Sequence, residues 1–123
     1  MKDRAVVITG CDTGFGHDLA KSLHKLGFTV FAGCLNDCSD GALALKKLGA
    51  VTNSLHVIQM DVTNQEQVDA ARDYVQRNLP SDAGLWGLVN NAGLAYSALI
   101  EWLPIEYYEK VRFLLQIQNK LNF

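Results

Sequence analysis

The chain has 123 residues, enough for one hydrophobic core and too few for two ordinary domains. Hydrophobic residues at 49% and charged residues at 20% describe a folding chain and exclude disordered, collagen-like and low-complexity readings. With 11 Lys and Arg against 13 Asp and Glu, the net charge of -2 offers no basic field to a phosphate backbone, so no nucleic-acid partner is expected.

The apolar runs are short, as in Ala5-Val6-Val7-Ile8, far below the roughly 20 residues of a membrane span. Nothing after Met1 reads as a signal segment, so the expected compartment is cytoplasmic by default. An odd number of cysteines, three, fits a reducing compartment, and Cys34 and Cys38 lack the further ligands of a zinc site, so no metal is expected.

Ala5 to Thr9 is an unbroken apolar, β-branched run, the pattern of a strand buried on both faces of a parallel sheet. Beyond the glycines at 10, 14 and 16, Phe15, Leu19, Leu23 and Leu26 recur three and four apart, predicting a helix that Gly27 closes. Thr29 to Cys34 predicts a second strand, followed by a polar loop over 36–41 and a short helix from Ala42 to Leu48 ended by Gly49. Leu55 to Met60 predicts a third strand. Thr63-Asn64-Gln65-Glu66 reads as a capping box opening a helix with Val68, Ala71, Val75 and Leu79 inward, and Pro80 ends it. Leu85 to Val89 predicts the fourth strand, and a last helix is expected from near Pro104 through Tyr108, Val111 and Leu115. This strand-helix alternation with short connections predicts an α/β fold, a parallel sheet covered by helices on both faces. His17, His24 and His56 read as isolated residues, and Trp86 and Trp102 as packing residues.

The segment Thr9-Gly10-Cys11-Asp12-Thr13-Gly14-Phe15-Gly16 lies between the first strand and the first helix. In that setting Gly10 permits a tight turn, Gly14 lets backbone approach a pyrophosphate, and Gly16 lets helix pack on strand. The amides and dipole of the helix start then favour an anion. The spacing is G-x-x-x-G-x-G, distinct from G-x-G-x-x-G, and the alternative is a glycine-rich turn without a ligand.

Together with Asp61-Val62-Thr63 and Asn90-Asn91-Ala92-Gly93, this loop resembles the N-terminal half of a short-chain dehydrogenase/reductase. The phrases Val30-Phe31-Ala32-Gly33-Cys34-Leu35 and Gly84-Leu85-Trp86-Gly87-Leu88-Val89 are similar to the branch holding D-3-hydroxybutyrate, retinol and 17β-hydroxysteroid dehydrogenases. The resemblance covers roughly residues 4 to 111. It implies a truncated Rossmann-type, doubly wound sheet of about four strands in the order 3-2-1-4. Residues 1–111 would then be a partial NAD-binding domain and 112–123 a divergent tail. It further implies that Gly10, Thr13, Gly14, Phe15 and Gly16 surround the pyrophosphate and nearby ribose, Phe15 mainly through backbone. Asp61 and Val62 would contact adenine, although a negative charge beside the next helix start is an alternative role for Asp61. Asn90, Ala92 and Gly93 would line the ribose side, and Asn90 would brace the sheet. These positions agree with ligand binding beyond the carboxyl ends of strands, at the switch between the first and fourth.

An acid that would hydrogen-bond the adenosine ribose is expected at the end of the second strand, where Cys34 stands. Asp37 could reach from the following loop, or be a solvated turn residue. No Lys or Arg occurs between Cys11 and Phe15 or between Cys34 and Asp40, and Asp12 and Asp37 would repel a 2′-phosphate. NAD is therefore expected over NADP, as the resembling branch also implies.

By resemblance, the parent reaction interconverts a secondary alcohol (3-hydroxybutyrate, a hydroxysteroid or a retinol-like compound) and its carbonyl. A tyrosine, a lysine four residues later and a serine would carry it. No Tyr-x-x-x-Lys occurs in the chain, Ser97 is too near Gly93, and the family's helical asparagine has no match in 112–123. The expectation is a cofactor-binding half, inactive alone, with no catalytic residues of its own. The alternative is a non-catalytic module that binds nucleotide or pairs with another chain, including its own copy, through the edge of the fourth strand. Mitochondrial or endoplasmic-reticulum association is compatible with the resemblance.

Overall fold

The computed structural model describes residues 4–94, 99–118, 121 and 123. Four parallel strands, β1 (Arg4–Ile8), β2 (Thr29–Cys34), β3 (Leu55–Gln59) and β4 (Gly84–Val89), form one sheet in the order β3-β2-β1-β4. Helices α1 (Gly14–Lys25), α2 (Asp40–Thr52) and α3 (Gln65–Asn78) connect them, and α4 (Ile105–Gln118) follows a single 3-10 turn at Ile100–Trp102. This is the predicted α/β, doubly wound arrangement with the predicted strand order.

Alternation along the inner strands divides the core between two faces. Val6, Ile8, Val30 and Ala32 point to the side packed by Ala20 of α1 and by Ala42 and Leu45 of α2. Ala5, Val7 and Phe31 point to the side packed by Val68, Ala71 and Val75 of α3, where Leu121 and Phe123 also pack. Because β1 and β2 are covered on both faces, they carry almost no polar side chains, which is why they read as continuous apolar runs. No helix among the described residues is long and apolar enough to cross a membrane.

Three local expectations are corrected. Helix α2 continues through Gly49 to Thr52, and its left-handed cap is Asn53 at φ 54°. Gly49 is a packing residue instead: a Cβ there would collide with the carbonyl of Leu55 at the start of β3. The cap of α3 is Asn64, not Thr63; its side chain accepts from the Gln67 amide at 3.2 Å, while Gln67 turns back to the amide of Asp61 at 2.8 Å. On α1 the apolar contacts come from Leu19, Leu23 and Ala20, whereas Phe15 and Leu26 are exposed. Two histidines also have partners: His24 Nε2 is 2.7 Å from the Thr52 hydroxyl, joining α1 to α2, and His56 Nδ1 is 3.2 Å from the Tyr74 hydroxyl.

Candidate nucleotide cleft

The carboxyl ends of β1 and β4 are neighbours in the sheet. Beyond these ends lies a cleft of about 770 Å³, walled by the glycine loop, the turns after β2, β3 and β4, and one side of α4. Its position matches the rule that open α/β sheets bind ligands where strand order reverses.

Two residues absent from the expected site tie its walls together. Thr9 is fully buried, and its hydroxyl accepts from the amides of Asn91 at 3.0 Å and Ala92 at 2.9 Å. Asn91 uses its side-chain amide to donate to the carbonyls of Thr9 and Gly10, both at 3.1 Å. These bonds join segments about 80 positions apart in sequence, fixing the turn after β4 against the glycine loop. The bracing role expected of Asn90 belongs to Asn91. Asn90 is exposed and does not line the cleft, while Asn91, Ala92 and Gly93 do.

The glycines answer to separate demands. At Gly10 (φ 72°) a Cβ would come within 2.7 Å of Ala92 Cα, so only glycine lets the two turns meet. At Gly16 it would strike the Asn91 side-chain nitrogen and the Gly10 carbonyl. Gly14 (φ 64°) has nothing within 4 Å, so its backbone conformation rather than packing calls for glycine. His17, expected to be isolated, supports the loop with Nδ1 3.2 Å from the Cys11 carbonyl.

The start of α1 differs from those of α2 and α3. Ser39 caps α2 and Asn64 caps α3, but Thr13 makes no side-chain cap to α1, and the first turn of α1 carries no acid. Thr13 and Phe15 line the cleft at this end. An uncapped helix start with an open left-handed glycine suits a diphosphate, which would supply the missing acceptors.

Across the cleft, Asp61 and Val62 line the wall beyond β3. Asp61 Oδ1 accepts from both the amide and the hydroxyl of Thr63, at 2.9 and 2.6 Å, which holds the turn into α3. Cys34 is buried and does not line the cleft; Leu35 and Asn36 do. Burial, then the charges of Asp12 and Asp37, push the Cys34 thiol up to about 12, and burial foremost raises that of Cys11. Asp37 faces Lys46 at 3.4 Å on the surface and does not line the cleft. Expected site residues Gly10, Thr13, Phe15, Asp61, Val62, Ala92 and Gly93 therefore gather round one space. Gly14 and Gly16 shape the loop, and Cys34 and Asn90 stand apart.

Comparison with known proteins agrees with this architecture. A family model described as short chain dehydrogenase matches residues 4–114. Mitochondrial D-beta-hydroxybutyrate dehydrogenase of Bos taurus is 44% identical over 111 residues, covering 88% of this chain and 32% of that protein. Estradiol 17-beta-dehydrogenase 2 of Mus musculus is 47% identical over 111 residues, covering 89% and 28%. Among solved structures, NADPH-bound carbonyl reductase from chicken fatty liver superposes with a TM-score of 0.80 at 28% identity, over 98% of this chain and 49% of that one. The chain thus spans about a third of these curated relatives and about half of that solved structure. With the sheet order, the glycine loop and a match over residues 4–114 in agreement, this chain belongs to the short-chain dehydrogenase family.

Proposed function

We propose that the chain is the cofactor-holding part of an oxidoreductase, binding NAD in the cleft between the glycine loop and the turn after β4. The observation that carries this reading is the uncapped start of α1 beside an open, left-handed Gly14, at the switch between β1 and β4. The amides of residues 14–16 and the hydroxyl of Thr13 would hold the diphosphate. Asp61 and Val62 would bound the adenine end. Ala92 and Gly93, held in place by Thr9 and Asn91, would bound the ribose on the nicotinamide side. Phe15, 89% exposed, would contribute backbone and cover the cleft mouth.

When bound, the dinucleotide supplies a hydride acceptor or donor. The residues of this chain orient it and carry no proton-transfer pair, since no tyrosine is followed four positions later by lysine. The substrate of the complete catalytic unit would be a secondary alcohol or its carbonyl, in the class that the names of the hydroxybutyrate and estradiol dehydrogenases indicate. The test is titration with NADH followed by turnover assays with NAD and a panel of hydroxy acids, hydroxysteroids and retinol. Saturable binding without turnover is the expected result. Turnover would overturn the inactive-half reading, and absence of binding would overturn the nucleotide reading.

A further inference from the structure

We propose that Asp12 is a specificity-determining residue of the cleft: from the glycine loop it admits an adenosine ribose and rejects a ribose 2′-phosphate. The inference rests on the dinucleotide reading above and extends it to a residue that does for the cleft what no acid at the end of β2 can do. Cys34 occupies that strand end, and its side chain is buried.

Asp12 lines the cleft beside Leu35 and Asn36. Its Oδ2 accepts from the Leu35 amide at 2.7 Å, and its Oδ1 accepts from the Asn36 amide at 3.1 Å and the Ser39 hydroxyl at 3.2 Å. The backbone is held as firmly, because a Cβ at Gly41 would collide with the Asp12 carbonyl, so the first turn of α2 lies directly on this residue. The carboxylate cannot turn away without abandoning three donors.

Two consequences act in the same direction. A 2′-phosphate brings close to two negative charges, and here it would meet a fixed carboxylate. It also needs donors, yet the loop donors nearest this carboxylate are already bonded to it. The basic residues nearby do not reverse this. Lys46 faces Asp37 at 3.4 Å, and Lys110, which lines the α4 wall, sits over the Tyr107 ring at 5.6 Å from its centroid. An unphosphorylated ribose asks for an acceptor, and a carboxylate provides one.

The experiment compares the dissociation constants of NADH and NADPH for the full chain, Asp12→Asn and Asp18→Asn. Asp18 is exposed on α1, so its substitution makes the same change in net charge outside the cleft. Asparagine at position 12 keeps the shape but cannot accept with both ends, which removes the charge and releases a loop donor. The NADPH-to-NADH ratio of constants should fall about tenfold or more in Asp12→Asn, through tighter NADPH binding, and stay within about twofold in Asp18→Asn. A second measurement needs no variant: on the unaltered chain, discrimination between adenosine 2′,5′-bisphosphate and 5′-AMP should narrow as salt rises from about 0.05 to about 0.5 M. An unchanged ratio in folded Asp12→Asn, or discrimination indifferent to salt, overturns the assignment while leaving dinucleotide binding intact. Failure of the unaltered chain to bind either dinucleotide overturns both.

Discussion

Gly16→Ala sets two physical effects against each other, and the structure says which one wins. Gly16 lies in the first turn of α1, where alanine alone would stabilise the helix by at most about 1 kcal/mol. Opposing this, the new methyl would meet the Asn91 side-chain nitrogen and the Gly10 carbonyl. The carbonyl is backbone fixed by the turn, so overpacking costs about 1–3 kcal/mol. Displacing Asn91 forfeits two hydrogen bonds, to Thr9 and Gly10, worth about 1 kcal/mol each. The net expectation is a loss of about 2–4 kcal/mol, or a fall of about 1–3 M in the urea midpoint at an unchanged slope. Gly14→Ala, which meets nothing within 4 Å, should cost only the strain of its positive φ, about 1–2 kcal/mol. Urea unfolding of the three proteins, followed by circular dichroism, gives the comparison. A Gly16→Ala protein as stable as the parent, or a Gly14→Ala protein clearly less stable than Gly16→Ala, would refute the interlock of loop, helix and Asn91.

Asn91→Asp would set a carboxylate against two carbonyls, raising that group's folded-state pKa. The variant should be less stable than Asn91→Ala at pH 7, with the gap closing as pH falls towards about 4 in unfolding titrations. Of the three thiols, exposed Cys38 alone should react quickly with a disulfide reagent at pH 8, and all three should react after unfolding. The Cys34 thiol keeps its proton in the folded state up to about 12, so its contribution to stability is present below about pH 8.5 and lost as the pH rises through the folded value. His56, stacked on Phe31 at a centroid distance of 4.9 Å, has its pKa lowered by burial, so folding favours its neutral form. Stability should therefore decline as pH falls below about 6.5, and His56→Gln should flatten that limb of the profile.

The sheet was legible because its signals are local. Thr29 to Cys34 opens on the β-formers Thr29, Val30 and Phe31 and stays free of charge up to a polar loop, and β2 has those bounds. The order 3-2-1-4 came from resemblance, and the α/β class from alternation. What escaped the sequence depends on contacts between distant segments. Gly49 follows a leucine near the end of a helical pattern and reads as a cap, yet the Leu55 carbonyl is what demands glycine there. Adjacent Asn90 and Asn91 carry no one-dimensional signal saying which turns inward, and the Thr9 hydroxyl decides nothing until β1 and β4 are neighbours. Asp12 read as a charge near a phosphate; its grip on Leu35, Asn36 and Ser39 exists only once β2 lies beside β1. Phe15 fits the helical period but falls on the cleft side of α1, where exposure replaces burial.

The central claim is that the glycine loop and the turn after β4 form one seat for a dinucleotide. Amide chemical shifts of the labelled chain, followed while NADH is added, test it without any substitution. Saturable shifts are expected, concentrated at residues 10–16, 61–62 and 91–93, with the amides opening α1 among the largest. Shifts confined to other surfaces, or none at millimolar NADH, would contradict it.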